Sequence, residues 1–320
     1  MKSQVELSVI VCTRNRARQL ATLIQCLGSQ QNIEDLNWEI VIVDNNSTDN
    51  TKEVSYAFCE GSNLKINYLA EEKIGLACAR NSGILASKGR YLLFIDDDVL
   101  IPKEFISNSF FGVREFPELD IFGFRVLPDW GEIKKIPFWL TFKKPFNLIQ
   151  SFLPIHDLGK ETLHYPNKKA QNPIGACFIV KKEIFEKAGP FREDLGAGQS
   201  GLCEDTEFFW YAMLNGFKVI YWPYAVLYHP VLPERLSIRY LHQWYFNLGK
   251  SLYLIKNTGR IKREVGDERW KAPIFLWIKL FLLILILPLS IFLLLIKRPF
   301  YLSTLVSKTF GEIKKSFNNC

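Results

Sequence analysis

The chain has 320 residues, of which 48% are hydrophobic and 14% aromatic, so it can bury a large core and is not a disordered polymer. Its net charge of +7 suggests anionic partners, a description that fits nucleic acid, anionic lipid and a nucleoside diphosphate alike. The seven cysteines are scattered and form no CxxC or Cys/His pattern, so we expect reduced thiols rather than a disulfide framework or a zinc site. The first residues lack a signal-peptide pattern, which predicts an unexported body.

Strand and helix patterns alternate over the first hundred residues. Short apolar runs predict buried strands at Leu7–Val11, Glu39–Val43, Lys65–Leu69 and Tyr91–Ile95. Helices are predicted between them at Ala17–Gly28, Thr51–Phe58 and Gly75–Ser87. This alternation implies right-handed βαβ units and a parallel sheet, whose ligands bind at the carboxyl ends of the strands.

The second part of the sequence is less regular. Strands are predicted at Asp120–Val126, Gly175–Val180 and Lys218–Tyr221, and helices at Lys182–Ala188 and Cys203–Asn215. Residues 128–173 give no clear periodicity.

Polar residues follow three of the predicted strands, namely Thr13, Asp44 and the triple Asp96-Asp97-Asp98. Because the strands are predicted to be parallel, these residues should converge on one crevice. Adjacent carboxylates repel one another, and a hard divalent cation is the usual compensation. Asp96 and Asp98 point the same way along an extended segment, so they can share one task. The alternative is a solvated turn that caps a helix.

Several segments together resemble the family 2 glycosyltransferases of the GT-A fold, from Leu7 to about Val231. They are SVIVCTRNRARQL, EIVIVDNNSTDNT, EEKIGLACARNSGILASKGRYLLFIDDDV, GACFIVKKEIFEKAGPFRED, CEDTEFFWYAMLNGFKV and LYHP. The resemblance implies an α/β GT-A fold, with a Rossmann-like, mostly parallel sheet flanked by helices. It also implies an inverting enzyme that uses a nucleoside-diphosphate sugar, with UDP, GDP or dTDP as the nucleotide.

The resemblance further implies a donor site. Asp44 would bond the base or ribose, and Arg80 would face the nucleotide or its diphosphate. The full set of expected nucleotide-sugar-binding residues is Thr13, Arg14, Asn15, Asp44, Asn46, Arg80, Asp96 and Asp97. Asp96 and Asp98 correspond to the positions that hold Mn²⁺ or Mg²⁺, and His229 matches a further metal ligand of some similar enzymes. For His229 a purely structural role is the alternative.

Glu204-Asp205 resembles the family's catalytic acidic pair at the start of a helix. By that match Asp205 is the general base that deprotonates the acceptor hydroxyl, and Glu204 is the other member of the pair. A carboxylate near a helix N-terminus is expected to stay ionised. The alternative is that both residues merely cap the helix.

The sequence argues against a nicotinamide-dependent oxidoreductase. Such an enzyme would carry a glycine-rich loop after its first strand, yet there is no glycine between Val11 and Leu27. A nucleotidyltransferase and an inactive, membrane-bound nucleotide-sugar-binding scaffold remain as alternatives. No nucleic-acid partner is expected, and the oligomeric state stays open.

Residues 274–296 form an apolar run with Lys279 as its only charge, long enough to cross a hydrocarbon core of about 30 Å. Pro288 allows a re-entrant turn, and a buried core helix is the alternative. We therefore expect a membrane protein whose catalytic part faces the cytoplasm and meets a glycan or lipid-linked acceptor. The predicted organisation is a catalytic domain at 1–235 (nucleotide half 1–100, acceptor half 101–235), a helical linker at 236–273, the membrane-associated helix at 274–296 and a basic tail at 297–320.

Overall fold

The computed structural model describes residues 4–137, 140, 152–167, 170–258, 260–261 and 297–318. These residues fall into two compact units. The first, here called the sheet unit, comprises Met1–Asp129, Pro154–Glu193 and Glu204–Pro230. The second, the C-terminal unit, comprises Trp130–Leu153, Asp194–Cys203 and Val231–Cys320.

An eight-stranded sheet organises the sheet unit, with strand order β3-β2-β1-β4-β7-β5-β8-β6. The strands are β1 (Leu7–Thr13), β2 (Trp38–Asp44), β3 (Ile66–Ala70), β4 (Tyr91–Asp96), β5 (Ile121–Asp129), β6 (Leu163–His164), β7 (Cys177–Lys181) and β8 (Val219–Pro230). The first four pair in parallel, as do β5 and β8, whereas β7 is antiparallel to both of its neighbours and β6 to β8. The predicted mostly parallel sheet is confirmed.

Helices cover both faces of this sheet. They are α1 (Ala17–Gly28), α2 (Thr51–Gly61), α3 (Leu76–Ala86), α4 (Phe105–Glu115), α5 (Ile184–Ala188) and α6 (Glu204–Leu214). Successive residues of β1 illustrate the arrangement, because Val9 packs in a core shared with α1 and α4 while Ile10 packs in a core shared with α3 and α6. Burial on both faces explains why these strands read as continuous apolar runs.

Three elements of the sheet unit depart from the predictions. Helix α4 and the short strand β6 were not predicted, and β8 continues well beyond Tyr221 to Pro230. The pairing of β8 with β5 shifts register after Trp222, which partners Phe124, while Val226 partners the next residue, Arg125. This irregularity accommodates Pro223 inside the strand, and it carries the LYHP segment to the far end of β8.

The C-terminal unit contains α7 (Ile238–Thr258), α8 (Lys297–Asn318) and a short 3-10 helix at Pro233–Leu236. Glycines bring α7 and α8 into close contact, since a Cβ at Gly249 would lie 1.7 Å from the carbonyl oxygen of Lys308, and one at Gly311 2.0 Å from that of Phe246. Among the described helices, none has the length and apolar character needed to cross a membrane. The predicted membrane-associated run 274–296 lies outside the described residues.

Candidate active site

The predicted polar residues meet at the carboxyl edge of the sheet unit. Thr13 ends β1 directly beside Asp44 at the end of β2, and Cys12 pairs with Asp96 at the end of β4. The parallel register therefore places the residues after these strands at one edge, as the sequence predicted.

Two arginines compensate the acidic triple. The Nη1 atom of Arg16 donates to Oδ1 of Asp97 and to Oδ2 of Asp98, both at 2.8 Å. On the other side, Nη2 of Arg80 lies 3.7 Å from Oδ1 of Asp96. Arg16 was not among the predicted site residues. Its contacts join residues more than eighty positions apart, and no local sequence pattern predicts them.

Burial dominates the ionisation of this cluster. It raises the pKa of Asp96 well above its usual value, with Arg80 opposing the rise and the neighbouring carboxylates adding to it. Burial also raises the pKa of Asp97, against the opposing effects of Arg16 and the Thr13 side chain. The carboxylates of the triple therefore carry a cost of burial that the two arginines partly offset.

Asp96, Asp98 and His229 form a group that could hold a metal ion, since one ligand atom from each lies within 4.8 Å of the others. The His229 Nδ1 atom is 3.0 Å from the carbonyl oxygen of Pro230. A carbonyl oxygen only accepts, so this contact assigns the proton to Nδ1 and leaves a lone pair on Nε2.

The opposite nitrogen of His229, Nε2, lies 3.3 Å from Oδ1 of Asp98. That carboxylate oxygen is buried and accepts no hydrogen bond within the part of the chain that the structure describes. Two electron-pair donors facing each other in a buried place fit a cation between them. The residues present therefore suit a divalent ion with mixed carboxylate and imidazole ligands.

The Asp44 carboxylate is held by protein donors. Its Oδ1 accepts the Ser47 N–H at 2.9 Å, and its Oδ2 accepts the Tyr68 hydroxyl at 3.0 Å. Burial, followed by the bond to Asp44, raises the pKa of Tyr68, which stays protonated as a donor. Each carboxylate oxygen has a second lone pair, so Asp44 is oriented while still able to accept a hydroxyl.

The loops after β1 and β2 are tied together by Asn15. Its backbone N–H donates to Oγ of Ser47 at 2.9 Å, and its Oδ1 accepts the Thr48 N–H at 2.7 Å. Arg14 and Asn46 are exposed on the same two loops. Asn15 and Asn46 both adopt left-handed backbone conformations, with φ of 53° and 57°, which asparagine tolerates better than most residues.

Asn45 is a buried residue that was not among the predicted site residues. Its Nδ2 donates to the carbonyl oxygens of Glu71 and Lys73 at 3.2 and 2.8 Å, and its Oδ1 accepts the Gly75 N–H at 2.8 Å. Asn45 thereby fixes the segment that leads from β3 into α3, beside Asp44.

Arg80 lies in α3 with only 4% of its side chain exposed. Its Nη1 donates to Oε1 of Glu204 at 2.8 Å, and its Nη2 donates to the carbonyl oxygen of Gly175 at 3.0 Å. Burial and the adjacent Asp205 raise the pKa of Glu204, with Arg80 opposing the rise. The buried Arg80 side chain thus contacts both Asp96 of the acidic triple and Glu204 of the Glu204-Asp205 pair, and it links the two groups.

Asp205 stands in the first turn of α6 and is half-buried. Its Oδ1 accepts the Thr206 N–H at 2.6 Å and is 3.3 Å from the Thr206 hydroxyl. A Cβ at Gly175 would lie only 2.6 Å from its Oδ2. The absence of a side chain at Gly175 therefore gives the Asp205 carboxylate its room.

Comparison with curated proteins finds relatives over about a third of the chain. The poly(ribitol-phosphate) beta-N-acetylglucosaminyltransferase TarS of Staphylococcus aureus is 30% identical over 105 residues, which is 33% of this chain and 18% of TarS. The glycosyltransferase GlyG of Streptococcus pneumoniae is 33% identical over 111 residues, covering 34% of this chain and 35% of GlyG. The chain thus matches less than a fifth of the length of TarS and little more than a third of that of GlyG.

Solved structures resemble a larger part of this chain than the curated relatives do. The mannosyltransferase PcManGT from Pyrobaculum calidifontis, in complex with GDP-Man and Mn²⁺, has a TM-score of 0.63 at 18% identity, covering 99% of this chain and 88% of that one. S. aureus TarS 1–349 in complex with UDP-GlcNAc has a TM-score of 0.54 at 20% identity, covering 80% and 68%. At such identities the likeness concerns the fold, and the predicted GT-A-like architecture is confirmed.

The family model "Glycosyl transferase family 2" matches residues 8–189, which is more than half of the chain. That range contains all of β1 except its first residue, together with β2 to β4, the acidic triple and Arg80. The chain therefore belongs to glycosyl transferase family 2.

Proposed function

We propose that the chain is a divalent-metal-dependent glycosyltransferase. It transfers a sugar from a nucleoside-diphosphate sugar to a hydroxyl of a glycan or lipid-linked acceptor, with inversion at the anomeric carbon. The observation that carries the proposal is the grouping of Asp96, Asp98 and His229, whose ligand atoms lie within 4.8 Å of one another. The same sheet edge carries the oriented Asp44 carboxylate.

The donor site is assigned to the loops after β1, β2 and β4. Asp44 accepts a hydroxyl of the ribose or a donor of the base, and the exposed Arg14 supplies positive charge for the phosphates. PcManGT is described with GDP-Man and TarS with UDP-GlcNAc, which supports the class of donor. The choice among UDP, GDP and dTDP sugars is open to experiment.

Asp96, Asp98 and His229 would hold the metal ion, and Mn²⁺ suits a site with an imidazole ligand better than Mg²⁺, which prefers oxygen. When bound, such an ion stabilises negative charge on the departing diphosphate. The protein's own part is to fix the ligands, and the Pro230 carbonyl does so by setting the tautomer of His229.

Asp205 is proposed as the general base. Its carboxylate accepts the proton of the acceptor hydroxyl as the new bond to the anomeric carbon forms and the bond to the diphosphate breaks. Glu204 is engaged by Arg80 at 2.8 Å, so its role is to position the start of α6. Attack opposite the leaving diphosphate implies an inverted product.

The test begins with a screen of UDP, GDP and dTDP sugars for binding with Mn²⁺ or Mg²⁺, followed by acceptor trials with the best donor. Asp205→Asn should retain most donor binding and lose transfer, whereas the matched control Glu186→Gln, an exposed residue on α5, should retain both. Full transfer by Asp205→Asn would eliminate the base assignment. Formation of a nucleotide sugar from a nucleoside triphosphate and a sugar 1-phosphate would indicate a nucleotidyltransferase instead.

We further propose attachment to the cytoplasmic face of a membrane through the apolar run 274–296. The described helix α8 begins at Lys297, immediately after that run. The ammonium groups of Lys250 and Lys314 lie 5.5 and 5.8 Å from the ring centre of Phe246. Burial, and then repulsion from Lys314 and Lys315, lowers the pKa of Lys250, so this basic surface would favour anionic headgroups.

Membrane attachment is tested with the full chain by flotation on vesicles. Phosphatidylcholine vesicles that contain phosphatidylglycerol should carry the protein in both low and high salt if the apolar run inserts. Release by high salt alone would indicate that only the basic surface binds. Failure to float with any vesicle would contradict attachment.

A further inference from the structure

Arg16 has an unusual position in the acidic triple. A single nitrogen, Nη1, donates to both Asp97 and Asp98 at 2.8 Å. The arginine side chain is 39% exposed, while the two carboxylates are 5% and 13% exposed. Arg16 is the residue immediately before α1. The first N–H of that helix, that of Ala17, donates to Oδ2 of Asp49 at 3.3 Å.

The two carboxylate oxygens of Asp98 consequently face two different neighbours. Its Oδ2 bonds Arg16, and its Oδ1, buried and without a hydrogen bond among the described residues, lies 3.3 Å from Nε2 of His229. Arg16 therefore supplies permanent positive charge at one oxygen of the carboxylate that the proposed ion would ligate through the other. A fixed cation so close repels a divalent ion and withdraws charge from its ligand.

We propose that Arg16 acts as a built-in counter-cation that makes ion binding depend on the nucleoside diphosphate. In the empty protein Arg16 keeps the triple compensated, so a divalent ion alone gains little. The negative charge of a diphosphate offsets Arg16, and the ion then binds together with the donor. Because binding free energies are reciprocal, the ion in turn strengthens diphosphate binding by the same factor. The inference rests on the proposed metal-dependent donor site.

The direction of the effect separates this role from a structural one. If Arg16 merely oriented Asp98, removing it would weaken the ion site. If Arg16 is a counter-cation, removing it leaves a more negative site that binds the free ion more tightly. For the loss of one charge repulsion at a partly exposed position we expect an increase in Mn²⁺ affinity of about tenfold. The gain that a diphosphate adds should shrink by the same factor.

The experiment measures binding of Mn²⁺ to the full chain by the paramagnetic resonance signal of the free ion, with and without UDP or GDP. Wild type should bind Mn²⁺ weakly alone and much more tightly with the diphosphate. Arg16→Gln should bind Mn²⁺ alone about tenfold more tightly, with a correspondingly smaller gain from the diphosphate. Arg18→Gln, which removes an equal charge from the exposed face of α1, should match wild type.

Arg16→Met removes the charge while keeping an unbranched stem, and it serves the same comparison if the glutamine variant does not fold. Unchanged or weaker Mn²⁺ binding by either folded variant would overturn the counter-cation role while leaving the metal site intact. A wild-type chain that binds no Mn²⁺ even with UDP and GDP would overturn both this inference and the metal-dependent donor site.

Discussion

Replacing Arg80 with glutamine should cost the sheet unit much of its stability. The Arg80 side chain is 4% exposed and that of Glu204 8%, and their 2.8 Å bond is joined by the one to Gly175 at 3.0 Å. Removing one partner of a buried ion pair typically costs about 3–5 kcal/mol, because the other charge is left buried and uncompensated. We expect a loss in that range at pH 8.

The loss should depend on pH. Burial and Asp205 already raise the pKa of Glu204, and burial raises that of Asp96, with Arg80 opposing both rises. Without Arg80 both folded pKa values rise further. A carboxyl whose folded pKa exceeds its unfolded value stabilises the fold below the unfolded pKa, and that stability disappears as pH rises through the folded pKa. The variant should therefore lose less stability at pH 5 than at pH 8.

The assay is urea unfolding of wild type, Arg80→Gln and the exposed control Arg18→Gln at both pH values, with tryptophan fluorescence as the signal of unfolding. The control should stay within about 0.5 kcal/mol of wild type. A loss for Arg80→Gln of under about 1 kcal/mol, or a loss that is larger at pH 5, would refute the buried ion-pair account.

Three glycine substitutions give further predictions. Gly112→Ala places a Cβ 2.8 Å from the Trp222 ring and should destabilise the fold by about 1–3 kcal/mol in urea unfolding. Its control, Gly61→Ala, has nothing within 4 Å of the added Cβ and should be neutral or slightly stabilising. Equal effects of the two substitutions would contradict the packing argument. Gly175→Ala should lower kcat about a hundredfold at nearly unchanged donor affinity, because its Cβ would displace the Asp205 carboxylate. Normal turnover in that variant would show that the position of Asp205 is not critical.

The elements that the sequence predicted best are those with a simple burial pattern. Strands β1, β2 and β4 are buried almost throughout, so each reads as an unbroken apolar run. The helix α4 mixes buried phenylalanines with Ser109 and Gly112, both of which face the interior, and this hides its periodicity. Beyond Tyr221 the register shift of β8 around Pro223 interrupts the alternation that would have marked a strand.

The site residues divide in a similar way. Asp44 and the triple were predictable because each directly follows a buried strand, and parallel pairing brings such ends together. Arg16 was missed because its partners lie in the loop after a neighbouring strand, far along the sequence. The signal was available in principle, since β1 and β4 are adjacent and a basic residue in the loop after β1 could reach the acidic loop after β4. Asn45 was missed because a buried asparagine looks like an ordinary turn residue in the sequence.

The most direct test of the central claim is a titration of the nucleoside diphosphate selected by the donor screen, in Mn²⁺ and in EDTA, for wild type and Asp98→Ala. The metal-ligand group of Asp96, Asp98 and His229 predicts that Mn²⁺ strengthens wild-type binding at least about tenfold and that Asp98→Ala loses most of this gain. Identical wild-type affinities in Mn²⁺ and EDTA would contradict the account.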